Sequence, residues 1–394
     1  MAQESKGSFE PISDDELRIA KPKKAPPCAY ELFMYEQNIP IYRSHGVYDI
    51  RQLPLAPWER MGGQGTFLQL DGQANVFGMY VVEVPAGGVL TAERHIYEET
   101  FIIFEGRGST EVWREGSSKK LAFEWQPVSK FIVPPNVWHR LVNATSSPAL
   151  ALVKTNAPRW MELCPNKSFI FDNPYEFREQ FDESEDFYKP SEEIEYGEDG
   201  KASRAKTNFR PDISHSEMPL DNMRAPGMRR GDGMEYPSGR YSNAHAHMAS
   251  RVLVCVRGKG YSLAWPMELG MRPWEAGKGH LVKRQEYIAG GMATAVPGHG
   301  DWFHQHFSIG KEPLRVVVFG LWLELPTQEG DSGRGLARGT GRVIGEGGHT
   351  LPYYEEDPQV RKDYQEALKK EGVEFTMPEW VYNRANYQEK FRQL

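Results

Sequence analysis

The chain has 394 residues, 39% of them apolar and 12% aromatic, which is enough to bury two ordinary cores. Its formal net charge of -7 leaves no basic footprint for nucleic acid or an anionic membrane surface, so small molecules are the expected ligands. Cys28, Cys164 and Cys255 are too scattered for a zinc knuckle or a local disulfide framework, and no stretch reads as a leader or a membrane span, so a cytoplasmic protein is expected.

Residues 1–62 are rich in Pro, Lys and aromatic side chains and alternate weakly; they read as an arm that packs on a barrel or on a partner subunit. Across residues 63–168, short apolar runs punctuated by Gly, Pro and Asn predict strands at 66–70, 78–84, 101–104, 109–113, 131–133 and 150–153, the pattern of a sandwich or barrel. Glu105-Gly106-Arg107-Gly108 reads as a hairpin turn, because glycine supplies the positive φ such loops require. Residues 169–230 turn acidic and polar and form a linker, with a helix expected over 176–186 and a loop over 192–206. A second strand-rich domain occupies 231–326, with its own turn at Arg257-Gly258-Lys259-Gly260. In the remainder, 327–394, the segment 328–348 is too glycine-rich to hold a core element, and Asp357-Pro358 opens a helix over 359–370 that Gly372 stops. The tail beyond it is expected to dock against a barrel or a neighbouring chain.

The two strand-rich stretches repeat one another. Glu93 and His245, His95 and His247, Glu99 and Arg251, Gly106 and Gly258, and Trp113 and Trp265 are all offset by 152 positions (247 − 95). A repeat this long is a duplicated domain. On a strand, His245 and His247 share a face. His304, in Asp301-Trp-Phe-His-Gln-His-Phe-Ser308, supplies a third imidazole, unless the first two are surface histidines. Neutral imidazoles suit iron, nickel, copper, zinc and, less distinctively, manganese. They leave the ion its full charge for polarising an anion. Arg251 either points into the same cavity, where its fork matches a carboxylate, or turns away to pair with the linker. His306 is a candidate proton shuttle, fourth ligand or supporting donor. In the first copy, Glu93, His95, Glu99 and His139 form either a mixed carboxylate and imidazole site or a vestigial set bonded within a packed barrel.

The spacing G-x5-H-x-H-x3-E-x6-G from Gly239 to Gly258, with Arg251 in place of Glu, resembles the first metal motif of cupins, and Glu93 stands at its first histidine in the other copy. Pro134 to Asn143 resembles the second motif, P-x-G-x-x-H-x3-N, with Asn136 for Gly. Around His304, Asp301 and Ser308 take the Gly and Asn places and Pro297 lies two residues early, which predicts a small insertion or bulge. The pair resembles the bicupin architecture, which implies an all-β fold of two double-stranded β-helix (jelly-roll) barrels with an N-terminal arm and a few flanking helices.

Among bicupins the layout resembles gentisate and hydroxynaphthoate dioxygenases, although those carry their site in the N-terminal barrel. That resemblance implies Fe(II) on His245, His247 and His304, with Mn, Ni, Zn or Cu also compatible, acting with dioxygen on a small anionic substrate that includes aromatic ones. Arg251 would orient the substrate and His306 would move protons. Oxalate decarboxylases are a poorer match at Arg251. Trp58-Glu-Arg-Met-Gly-Gly-Gln-Gly65, Phe169-Ile-Phe-Asp-Asn173 and Thr207-Asn-Phe-Arg-Pro-Asp212 are more similar to uncharacterised two-cupin proteins labelled as ethanolamine ammonia-lyase activators. The expectation is an Fe(II) dioxygenase with its site in the C-terminal half. Its rivals are a redox-neutral isomerase, lyase or decarboxylase, and a non-enzymatic ligand-binding or accessory protein. Arm exchange, common among cupins, implies a homodimer.

Overall fold

The computed structural model describes residues 27–73, 76–196, 202–215, 233–247, 251–298, 301–320, 343–344 and 348–391. The arm supplies α1 (Ala29–Glu36), β1 (Ile41–Ser44), β2 (Gly46–Val47) and β3 (Ala56–Trp58). The first barrel follows with β4 (Gly63–Leu70), β5 (Gly78–Val84), β6 (Glu99–Glu105), β7 (Gly108–Trp113), β8 (Leu121–Trp125), β9 (Lys130–Val133), β10 (Trp138–Asn143) and β11 (Ala149–Thr155). Helices α2 (Ala157–Leu163) and α3 (Lys167–Phe171) and strands β12 (Ile194–Tyr196), β13 (Ala202–Ala205) and β14 (Phe209–Arg210) lead out of it. The second barrel holds β15 (Gly233–Tyr236), β16 (Ala244–His247), β17 (Arg251–Arg257), β18 (Lys259–Pro266), β19 (Lys283–Ile288), β20 (Met292–Thr294), β21 (Trp302–Ser308) and β22 (Leu314–Gly320). The tail adds β23 (Thr350–Leu351), α4 (Pro358–Glu371) and α5 (Arg384–Phe391).

Each half is a two-sheet jelly roll. In the first, the sheet β1-β4-β5-β11-β6-β9-β14, with β3 on β4, faces the sheet β10-β7-β8. In the second, β15-β22-β17-β20-β2 faces β19-β18-β21-β16-β23. The arm ties the two together, since β1 runs parallel to β4 while Gly46 and Val47 of β2 pair with Ala293 and Met292 of β20.

Strands β5, β11, β17 and β22 are apolar almost throughout because both their faces are buried. Tyr80, Val82, Ala151 and Val153 fill the first barrel. Their neighbours Met79, Val81, Leu150 and Leu152 point the other way, into one cluster with Val252, Val254, Val317 and Phe319. The barrels thus pack back to back through the sheet of β5 and β11 in the first and that of β17 and β22 in the second, and each aliphatic side chain fully removed from water there stabilises the contact by about 1.5–3 kcal/mol. At Gly106 the φ is +83° and a Cβ would meet that of Ala149 at 2.4 Å, so the hairpin turn accepts only glycine.

The predicted strands of the first barrel all form, β5 with the expected bounds and the others longer by one to three residues, and β8 and β10 are added. Residues 176–186 form turns where a helix was expected. Glu183 adopts a φ of +55° and Asp182 Oδ1 accepts from the Ser184 amide at 3.0 Å, while Phe181 and Phe187 are drawn into the first core. The linker's helices come earlier, as α2 and α3, and the expected loop at 192–206 carries the β12–β13 hairpin. Asp357 caps α4 by accepting from the Gln359 amide at 3.1 Å, and Gly372 ends it with a φ of +65°. Val360, Tyr364 and Leu368 of α4 then cover the outer face of β18 and β21. Most of the glycine-rich segment 328–348, and the positions just after Pro297 where an insertion was expected, lie outside the described residues. Among the described residues, no helix is long and apolar enough to cross a membrane.

Candidate metal centre

The duplicated register carries the same position of each copy to its downstream histidine. Glu93 bridges to His139 in the first barrel, and His245 pairs with His304 through β16 and β21 in the second. The turn before β10 requires a left-handed residue, and Asn136 takes it with a φ of +57°, which asparagine tolerates where the motif resembled here has glycine. Its amide donates to the His95 carbonyl at 2.7 Å, and its side chain donates to Asn173 O at 2.7 Å and Tyr175 O at 2.5 Å. This short segment therefore positions His139 and the loop that carries His95.

Inside the first barrel, Glu93, His95, Glu99 and His139 each offer one ligand atom, and the four atoms lie within 4.8 Å of one another. All four groups are buried, Glu93 least so at 9% exposed. Each residue is also held from behind. His95 Nδ1 lies 2.9 Å from Tyr97 O, the Tyr97 ring stacks on His95 at 3.6 Å, and His139 Nδ1 lies 3.4 Å from Val137 O, so both imidazoles aim Nε2 inward. Tyr80 OH donates to Glu99 Oε1 at 2.8 Å, and Arg60 Nη2 donates to Glu93 Oε2 at 2.6 Å. That leaves Glu99 Oε2, which lies 3.4 Å from Nε2 of each histidine, and Glu93 Oε1, which lies 3.7 Å from His139 Nε2.

His95 Nε2, His139 Nε2 and Glu99 Oε2 are buried without a directed hydrogen bond. Such atoms are costly unless something else engages them. Ligand bonds of roughly 2.0–2.2 Å place donors no more than about 4.4 Å apart, so the set fits a divalent ion after adjustments of a few tenths of an ångström. Anchoring of the outer atom of each ligand is what metal sites use to fix orientation and tautomer. Burial pushes the Glu99 carboxyl up, but the His95 and His139 imidazoles outweigh it and hold that carboxyl well below the usual range. Burial lowers the His139 imidazole, and the Glu99 and Glu93 carboxylates overcome this and raise it.

In the second barrel the His245 and His304 rings stand 4.2 Å apart between centroids, with Nδ1 near Asn243 O (3.3 Å) and Trp302 O (3.4 Å) respectively. His247 lies on β16 two residues beyond His245, and its side chain is outside the described residues. His306 is 5.5 Å from His304 between ring centroids, and its Nδ1 meets Ser262 Oγ at 2.9 Å, which meets Tyr287 OH at 2.8 Å. Burial lowers the His245 imidazole, with the Asn243 carbonyl opposing and the nearby Arg251 charge reinforcing it. The sequence did not single out Arg60 or Tyr80, which brace the first centre. Arg60 sits in the stretch Trp58 to Gly65 that carried the family resemblance, so that stretch was the available signal.

Residues 80–154 match the family model described as a cupin domain. The protein is therefore an all-β, two-barrel protein of the cupin fold, with one cupin domain identified directly and its repeat beside it. No curated protein matches the chain. Among solved structures it is similar to the oxalate decarboxylase of Bacillus subtilis, at 12% identity over 71% of this chain and 78% of that one, with a TM-score of 0.39. It is also similar to the Lactobacillus farciminis oxalate decarboxylase formate complex, at 11% identity over 70% and 86% of the two chains, with a TM-score of 0.39.

Proposed function

We propose that the protein is a metal-dependent enzyme that acts on a small organic anion without consuming dioxygen, with its centre in the first barrel on Glu93, His95, Glu99 and His139. The observation that carries this reading is the convergence of four buried ligand atoms within 4.8 Å, three of them without a hydrogen bond. Two carboxylates with two imidazoles suit Mn(II) or Fe(II), and their two negative charges balance a divalent ion in a buried site. When bound, the ion supplies Lewis-acid polarisation of a carbonyl or carboxylate oxygen. Glu93, His95, Glu99 and His139 would hold the ion, and a small chelating anion could bind beside them. The chain's own part is to fix the ligands through Tyr80, Tyr97 and Arg60.

A second reading keeps the three-histidine Fe(II) dioxygenase in the second barrel, with Arg251 orienting the substrate and His306 moving protons. It is supported by the 4.2 Å pairing of His245 with His304 and by the positive charge of Arg251 close enough to lower the His245 imidazole. Metal analysis of anaerobically purified protein separates the two. Near-stoichiometric metal that is lost in His95→Ala and kept in His245→Ala is the expected result, together with turnover that is indifferent to oxygen. Loss only in His245→Ala would move the centre to the second barrel.

A further inference from the structure

Beside the first centre lies a cavity of about 10 Å³, space for about one water, walled by Tyr30 and Phe33 of α1, by Trp58, Arg60 and Tyr80, and by the ligands Glu93 and Glu99. Two of its walls carry unused donors. The Tyr30 hydroxyl is buried and has no hydrogen-bond partner. Tyr30 reaches this depth because β5 has no side chain at Gly78, where a Cβ would stand 2.2 Å from the Tyr30 oxygen. Arg60 uses one nitrogen, Nη2, on Glu93 at 2.6 Å and Tyr97 OH at 3.4 Å. Its guanidinium lies against Phe171 at 4.6 Å and Phe33 at 5.5 Å, which fixes its plane; among the described residues Nε and Nη1 meet no acceptor, and the side chain is 25% exposed.

Charge supports the same end. Two carboxylates cancel a divalent ion, so Arg60 leaves the loaded site with one net positive charge next to a hydroxyl donor. A planar fork with unused N–H groups in such a place matches a carboxylate.

Resting on the first-barrel reading above, we propose that Arg60 and Tyr30 form the carboxylate-recognition subsite of this centre, and that the substrate is a small monoanionic carboxylate. Arg60 then divides its donors between Glu93 and the substrate, and the arm helix α1 closes the substrate in. The cavity is too small for a carboxylate as it stands, so α1 and Phe33 move outward on entry.

The test uses the full chain loaded with Mn(II), with water-proton relaxation reporting metal occupancy and acetate as the probe. Arg60→Ala should weaken acetate binding at least tenfold, Tyr30→Phe should weaken it severalfold, and Arg60→Lys should fall between wild type and Arg60→Ala. Arg60→Ala should also hold Mn(II) at least as tightly as wild type, because Glu93 loses its competing cation; a variant that merely loosened the barrel would bind metal more weakly. Unchanged acetate affinity in Mn(II)-loaded Arg60→Ala overturns the subsite and leaves the metal centre standing. Failure of the wild type to bind Mn(II) overturns both.

Discussion

Glu356 offers a quantitative test of how the C-terminal tail is held. It is 6% exposed, accepts a hydrogen bond from the Tyr241 hydroxyl, and accepts another from Gln305 Nε2 at 3.2 Å. Burial pushes its carboxyl from 4.5 up to about 7, against the pull of those two donors and of Arg361, with Asp357 adding to the rise. The folded chain therefore binds a proton here that the unfolded chain has released between about pH 4.5 and 7. Stability is fully present below the unfolded value and is lost as pH rises through the folded one. At about 1.4 kcal/mol per pH unit the window is worth roughly 3 kcal/mol. Glu356→Gln removes the titration while keeping the shape of the group and a carbonyl that can accept from one of the two donors. Urea unfolding followed by tryptophan fluorescence at pH 4.5 and pH 8 should show the stability difference between the two proteins shifting by roughly 3 kcal/mol toward the variant at the higher pH. Parallel pH profiles would refute the reasoning. The result bears on function because Gln305 sits between His304 and His306 on β21, so this contact braces the strand that carries those imidazoles.

Two further outcomes are expected. Leu152→Ala, at a fully buried point between the barrels, should cost about 2–5 kcal/mol, and both barrels should melt in one lowered transition by calorimetry; a separate unchanged transition for the second barrel would show that the interface does not couple them. Arg251→Glu restores the acidic residue that the first copy has at Glu99 and replaces a positive with a negative charge beside His245, so the second barrel should bind Mn(II) at least tenfold more tightly, read as a second equivalent in equilibrium dialysis.

Much of the fold was legible because its punctuation is local. Gly106 and Gly258 mark the two hairpins, Asp357 and Gly372 bracket α4, and both glycines and the cap adopt the conformations their chemistry favours. The helix expected at 176–186 failed because its acidic, polar composition suggested a helix while Phe181 and Phe187 had a core to reach, and tertiary burial decided the matter. The pairing of Gly46 and Val47 with β20 was hidden for the opposite reason, since it joins distant parts of the chain through backbone groups that leave no side-chain pattern. The four residues of the first centre were visible by spacing, but Glu93 read as a lost histidine. Only the bridge to His139 and the contact with Arg60 reveal it as an anchored carboxylate.

The two copies keep one backbone register and differ in charge, and the charge decides what each can hold. In the first barrel Glu93 and Glu99 neutralise a divalent ion and Arg60 restores a single positive charge, so one monoanion completes the balance. In the second barrel the first ligand position is His245 and the residue equivalent to Glu99 is Arg251, whose charge already lowers the His245 imidazole. A divalent ion on neutral histidines beside that guanidinium would lack the two carboxylates that the first barrel supplies, and charge left unbalanced in a buried interior is penalised heavily by low-dielectric surroundings. An ion should therefore bind the second barrel more weakly than the first, where two carboxylates stand beside the histidines. That expected difference follows from two substitutions, His245 for Glu93 and Arg251 for Glu99, on an otherwise shared scaffold.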